Sequence, residues 1–517
     1  MSEQTNRKRI AKNTLLMYLR MGFSMLVSLY TARVILQVLG VTDMGIQATV
    51  GGVVGFMNFI NSALSNGTSR FLTVALGKGD KEEMAKTFST TFWVHLVLGI
   101  IFVVGLESIG LWFLYNKLII PAERMSAAEW CFHLSTFAII FNMTQVPYRA
   151  TLVAHEKFNM FAYMGMLSVC LRLVIVYMLL LFDLDKLKLY STLFFMVSLG
   201  MMMYYRWYCI RHFEECRLRL TFDKKIFKPI MEFSGWQLFA SVAIACSNQG
   251  ILILLNMFFS PAVVAARSIS LHVNHTARQF MDSFRSASNP QIIKKYAAGD
   301  HRGSKELLFE TTKYCYFLML LTCLPTFLLS YQLLYVWLGQ VPEYTDIFVK
   351  LIVIQSITQT FNSGFYTAIY AKGRMRENAL SAPVILFSAF PIIYVLFKMG
   401  ASPVALSYAY IISYAVQAFI QKPLILVKYI DYKWSDFTPL YWSCFKVTVA
   451  ASVVPVILKY GIINSITTNY FITFFVIGSI SVLSTCVAIW YLGLDKTTRT
   501  KLLSFIKKKL RVRAWHD

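Results

Sequence analysis

Residues 265–291 read AARSISLHVNHTARQFMDSFRSASNPQ, and how this stretch is placed decides the fold. Apolar runs of membrane-spanning length border it, yet it carries Arg267, His272, Asn274, His275, Arg278, Asp282 and Arg285. On an α-helix, residues three or four apart share a face. Arg267, Leu271, Asn274, His275, Arg278, Asp282 and Arg285 therefore form one long, mostly polar stripe. Such a stripe cannot face lipid, because charge at bilayer depth costs at least a few kcal/mol per residue. It either lines a wet, protein-walled cavity or belongs to a helix outside the bilayer, and the apolar neighbours favour the cavity.

The rest of the chain supports a membrane setting. Of its 517 residues 57% are hydrophobic and only 15% charged, with a mean hydropathy of +0.55. Soluble domains average about 25% charged residues, so this reads as an all-α integral membrane protein with little room for a soluble domain. The net charge of +24 falls in short loops on one side. That is the positive-inside pattern, which places both termini in the cytoplasm and gives no reason to expect a nucleic-acid partner. Nine scattered cysteines without a CxxC pair predict neither a disulfide nor a metal site. The N-terminus lacks a secretory signal's short apolar core, so its first apolar segment is expected to stay as a span.

Segments long enough to cross the hydrocarbon number about fourteen. Leu76-Gly77-Lys78-Gly79-Asp80 followed by Phe88-Ser89-Thr90-Thr91 echoes Ala297-Ala298-Gly299-Asp300 followed by Phe309-Glu310-Thr311-Thr312. Two pseudo-symmetric six-helix lobes, residues 1–210 and 234–430, explain the echo, with a cytoplasmic linker at 211–233. Two accessory transmembrane helices at 431–493 and a basic amphipathic tail at 494–517 follow. Parallel repeats of this kind are a transporter signature, with the substrate path between the halves.

The repeat register sets Asn58 opposite Arg278, giving the second helix a neutral polar face where the eighth is cationic. Further candidates for a cavity wall are Arg20 and Arg33 in the first span, Arg172 near the middle of the fifth, and Asn248 and Gln249 in the seventh. Gln355, Gln359 and Asn362 add to these in the tenth. Arg20 and Arg33 have the alternative of snorkelling to the interfaces. Arginine is always charged and grips phosphate bidentately, so a cationic cavity points to an anionic, phosphorylated substrate. Asn274 and His275 share the stripe, and each histidine is read equally well as a core residue. Asp282 and Glu107 are the candidate ligands for a coupling ion, Na+ or H+; for Asp282 an ion pair with Arg278 or Arg285 is the competing reading. No cofactor is expected. The lack of a GxxxxGK[ST] motif argues against direct ATP drive.

Three segments, TARVILQVLGVTDMGI (31–46), SNGTSRFLTVALGKGD (65–80) and SNPQIIKKYAAGD (288–300), resemble the polysaccharide transport family. This family lies within the multidrug/oligosaccharidyl-lipid/polysaccharide exporters and includes the Wzx-type O-antigen and capsule flippases. The resemblance implies an inner-membrane flippase that moves undecaprenyl-pyrophosphate-linked oligosaccharide outward through a cationic central cavity. By similarity Arg33, Arg267 and Arg278 are its leading residues. It implies working partners as well, a glycan polymerase and glycosyltransferases. A lipid II flippase shares the phosphate logic, whereas a drug or cation antiporter would want carboxylates in its cavity. A polytopic glycan polymerase would want a large external loop with catalytic carboxylates, and the external loops here are short. The chain is therefore not expected to be an enzyme.

Overall fold

The computed structural model describes residues 3–56, 81–155, 157–219, 249–372, 375–463 and 469–496, with isolated positions between them; of residues 3–21 and 53–56 it describes the backbone alone. Every regular element among these is helical. In chain order they are α1 (Glu3–Phe56), α2 (Lys81–Asn116), α3 (Met125–Thr144), α4 (Val146–Ala154), α5 (Phe158–Leu181) and α6 (Lys186–His212). Then come α7 (Ile251–Phe258), α8 (Pro261–Ala297), α9 (His301–Leu328), α10 (Ser330–Leu338), α11 (Thr345–Lys372) and α12 (Met375–Lys398). The last three are α13 (Ala405–Tyr429), α14 (Trp434–Gly461) and α15 (Tyr470–Gly493). Nine helical stretches among the described residues are long and apolar enough to cross a membrane. The protein is thus a multi-pass, all-α membrane protein. Two successive helices meet within α1 at Gly40, whose φ of 76° is left-handed and disfavours any side chain. The basic tail expected at 494–517 lies almost wholly outside the described residues.

Packing groups the chain into two compact units, Met1–Ser268 with Phe390–Pro403, and Ile269–Ala389 with Val404–Asp517. This division falls inside α8, while the linker expected at 211–233 lies partly outside the described residues. At the start of α8 the Pro261 carbonyl presses against Gly45. A Cβ on Gly45 would stand 1.9 Å from the Pro261 oxygen. Nearby, the Ile119 N–H donates to the Asn256 side chain at 2.9 Å, so α7 is also tied to the first unit.

At this same end Arg124 forks between two carboxylates. Its Nη2 donates to Asp43 at 2.6 Å and its Nη1 to Asp185 at 2.7 Å, joining the helical turn just after Gly40 to the α5–α6 turn. At the opposite end the chain leaving α6 is strapped back over α2. The Ser89 hydroxyl accepts from Arg219 N–H at 3.1 Å, Trp93 Nε1 donates to the Arg219 carbonyl at 3.1 Å, and Thr90 accepts from Asp223 N–H at 3.2 Å.

The two Phe-x-Thr-Thr segments sit near the starts of α2 and α9. Phe88 meets Tyr148 edge-on at 5.0 Å in the first unit, and Phe309 meets Phe365 edge-on at 6.4 Å in the second. The Thr91 hydroxyl bonds back to the Thr87 carbonyl at 2.8 Å, and Thr312 bonds back to Leu308 at 2.8 Å. Within the second unit α14 and α15 pack on α9 and α10. Tyr316 shares a hydroxyl bond with Thr448 at 2.8 Å, and Tyr470 meets Tyr335 at 5.0 Å.

Two predictions follow from the packing around Gly45 and Arg124. Gly45→Ala is expected to destabilise the purified protein by about 1–3 kcal/mol, because its Cβ meets backbone rather than a side chain that can swing away. Gly51→Ala, where the nearest atom lies 3.9 Å away, is the control and should be neutral or mildly stabilising in the same thermal unfolding series. The second concerns acid. Burial would push the Asp185 carboxyl up, but the Arg124 guanidinium and the Lys188 N–H hold it below the ordinary carboxylate range. A depressed carboxylate contributes stability that is complete above its unfolded value, about 3.9, and is lost as pH falls through the folded one. Asp185→Asn should therefore flatten the acid limb of a melting-temperature-against-pH curve, and an unchanged limb would remove Asp185 from that role.

Candidate functional site

The polar stripe of α8 lies along α11, and the two helices run parallel. Asn274 accepts from the Ser356 hydroxyl at 2.5 Å, Arg278 Nη1 donates to Gln359 Oε1 at 2.7 Å, and Arg285 Nη2 donates to the Ser363 carbonyl at 2.6 Å. Asn289 accepts from Thr367 at 3.1 Å. The rungs advance together because both helices present a residue every three or four positions. Every rung on the α11 side is neutral. Among the described residues no carboxylate lies within 4.0 Å of Arg278, and Arg285 has only Asp282, at 3.7 Å. That carboxylate is about half exposed, while the Arg285 side chain is 14% exposed. Asp282 is thus placed as an ion-pair partner of Arg285.

Beyond Arg285 the seam leaves only a tight crevice, lined by Asn289, Thr311, Thr312, Thr360 and Thr367 together with Ile292, Leu308 and Cys315. Gly364 allows it to form, since a Cβ there would fall 2.3 Å from the Thr312 hydroxyl. One more cation lies inside this unit. Lys422 on α13 is 5% exposed, donates to Asn378 Oδ1 at 3.3 Å, sits 5.2 Å above the Tyr366 ring, and is within electrostatic reach of Arg285.

The remaining candidates fall elsewhere. Arg267 belongs to the first unit and is buried at 2% exposure, among the largest side chains fully enclosed. Arg33, on α1 of the same unit, is half-buried. His275 is exposed and contacts Gln279 at 3.2 Å rather than α11. Arg172 is exposed on α5, its guanidinium 5.3 Å above the Phe194 ring. Glu107 lies in a π-turn of α2, Leu106–Gly110, and bonds His133 at 2.7 Å. The Arg20 side chain, Asn58 and Asn248 lie outside the described residues.

Lys422 and Arg206 escape a reading of the sequence. Arg206 on α6 donates to Thr144 at 2.6 Å and lies 5.6 Å from the Phe92 ring. Each is a single base in an apolar helix, without the i, i+3, i+4 company that marks α8. The one available signal was a lone cation inside a span, which normally requires a protein-facing partner.

No protein-family model matches the sequence, nor does any curated protein. Solved structures do. The chain is similar to the lipid II flippase MurJ in an inward closed conformation, with a TM-score of 0.71 and 14% identity over 92% of this chain and 98% of the other. An inward-facing multidrug resistance MATE family transporter of the MOP superfamily aligns with a TM-score of 0.65 and 12% identity over 80% and 98%. A MOP superfamily transporter from Pyrococcus furiosus, for which a reverse polarity of the binding pocket suggests a different function, aligns with a TM-score of 0.58 and 11% identity over 82% and 96%. The chain has the fold of these transporters.

Proposed function

We propose that the protein is a flippase for a lipid-linked oligosaccharide, an undecaprenyl-pyrophosphate-linked unit of O-antigen, capsule or exopolysaccharide, and that it moves this substrate outward by alternating access. It resides in the inner membrane with both termini in the cytoplasm, beside the glycan polymerase and glycosyltransferases that use and supply the same lipid. The observation that carries this reading is the α8–α11 ladder, in which Arg278 is held by a neutral amide at 2.7 Å. A guanidinium has five donors in a rigid fork. Gln359 takes one and fixes the plane, and the others remain for an anion. A pyrophosphate supplies the oxygen pairs that such a fork binds bidentately.

Charge also sets the direction. With the cell interior negative, each negative charge moved outward gains about 2.3 kcal/mol per 100 mV. Sugar hydroxyls need water or polar partners throughout, since stranding one without a hydrogen bond costs several kcal/mol.

A second reading is favoured by one observation, the similarity over nearly its whole length to a lipid II flippase. Lipid II presents the same pyrophosphate, and Arg278 would serve it equally. Complementation of a strain depleted of its own lipid II flippase separates the two: growth selects lipid II, and restored surface glycan alone selects the oligosaccharide.

Arg278→Ala and Arg267→Ala are each expected to reduce surface glycan display at least about ten-fold at normal membrane levels, with Arg278→Lys intermediate because charge survives and the fork does not. Full display in both alanine variants would discard the cationic site.

A further inference from the structure

The chain leaving α6 forms a fixed strap across the first unit, and its charges are sorted by sign. A 3₁₀ turn, Glu214–Cys216, is docked by a buried contact: Glu215 Oε1 and His155 Nε2 meet at 2.6 Å, and the His155 ring stacks on Phe213 at 4.3 Å. Farther on, both backbone groups of Arg219 are held by α2, the N–H by Ser89 and the carbonyl by Trp93. Glu214, the other acid of the turn, is taken by Lys81 at 3.1 Å. Both carboxylates of residues 211–219 therefore already have partners.

The arginines of the same stretch point elsewhere. Arg211, Arg217 and Arg219 are exposed, and among the described residues no carboxylate lies within 4.0 Å of any of them. Arg217 senses Glu214 only at longer range. Arg211 is steadied by a ring instead, its guanidinium 5.6 Å over Trp207 one helical turn back. Apolar groups stand among these cations. Trp207 is about half exposed and packs on Tyr204 at 5.7 Å, and Leu218, between two of the arginines, is nearly as open.

Water alone rewards neither half of this arrangement, since it leaves Trp207 and Leu218 unburied and the three cations without a counter-charge. A bilayer surface answers both. Trp and Tyr favour the interfacial layer, and headgroup phosphates offer each guanidinium a pair of acceptor oxygens. A zwitterionic headgroup brings its own cation to the same place, so net charge favours an anionic one. With its backbone fixed by α2 and its turn by His155, the strap presents these arginines without the entropy cost of ordering a loop.

We propose that this strap and the last turns of α6 form a docking site for the phosphate headgroup of an anionic bilayer phospholipid. Arg211, Arg217 and Arg219 hold the phosphate, and Tyr204, Trp207 and Leu218 enter the interfacial layer. The site goes beyond the transport reading and does not depend on what is transported; it requires only the membrane setting. A lipid bound there clamps the segment through which the chain leaves the first unit.

The test is native mass spectrometry of the whole purified chain, with dioleoylphosphatidylglycerol or dioleoylphosphatidylcholine as the added lipid. Each arginine near an anionic headgroup is worth about five-fold in affinity, so the wild type is expected to bind its first phosphatidylglycerol at least about ten-fold more tightly than phosphatidylcholine. Arg211→Ala and Arg219→Ala should each weaken phosphatidylglycerol at least about three-fold, and the triple variant with Arg217→Ala at least about ten-fold, while phosphatidylcholine binding stays unchanged. Arg302→Ala, which removes an exposed arginine paired with Glu306 at 3.0 Å, is the control for net charge and should bind as the wild type does. The two single variants carry the test should the triple variant fail to fold. Wild-type phosphatidylglycerol binding in the triple variant, or in both single variants, would overturn the proposal and leave the patch to an acidic protein segment. An equal loss in Arg302→Ala would overturn it in favour of unspecific charge attraction.

Discussion

A guanidinium bonded only to neutral acceptors keeps its charge on offer, and the second unit is arranged around that condition. Gln359 accepts from Arg278, whereas Arg285, which donates to the Ser363 carbonyl, also keeps Asp282 at 3.7 Å. A carboxylate in place of Gln359 would pair with Arg278 and cancel its charge. A neutral partner fixes orientation without neutralising, and it also permits a helix as polar as α8 to pack along α11. The cost is desolvation of the charge, which under the proposed function an arriving anion offsets.

How much of this was legible in the sequence depended on what each feature required. The stripe on α8 was, because helical periodicity collects residues on a face whatever the neighbours do. The Phe-x-Thr-Thr echo was also readable, and its two copies pack alike around Phe88 and Phe309. The partners were harder. Gln359 was among the polar residues of its span, but nothing local pairs it with Arg278, 81 positions away. A π-turn shifts the register without altering composition, so the meeting of Glu107 with His133 left no periodic trace. Arg172 shows the converse. Its depth in the fifth span suggested a cavity, whereas in the fold it is exposed with its guanidinium over Phe194, an aromatic face that stabilises a cation without a polar chamber.

The two units fasten their connecting segments differently. In the first, hydroxyls of Ser89 and Thr90 hold the backbone of the chain leaving α6. In the second, the chain leaving α13 is held by an ion pair, Lys305 with Asp436, and by Phe309 packed on Phe437 at 5.6 Å. Hydroxyl-to-backbone bonds are weaker than charge-assisted ones, so the two connections differ in how firmly they are held.

The placement of basic residues follows one rule across both units. Near helix ends they meet acids: Lys81 with Glu214, Arg124 with Asp43 and Asp185, Lys305 with Asp436, Lys350 with Asp346. Within helices several meet neutral groups and rings: Arg206 with Thr144 and Phe92, Arg278 with Gln359, Lys422 with Asn378 and Tyr366, while Arg285 and Lys313 keep acids, Asp282 and Asp495. At the ends water screens any residual charge, so pairing there serves to tie loops together. Inside, an unquenched cation is tolerated only if something repays it, and packing cannot, since an apolar side chain would fill the same space more favourably. Under the proposed function the repayment comes from a negative charge that the protein meets but does not own, that of the phosphate-bearing substrate.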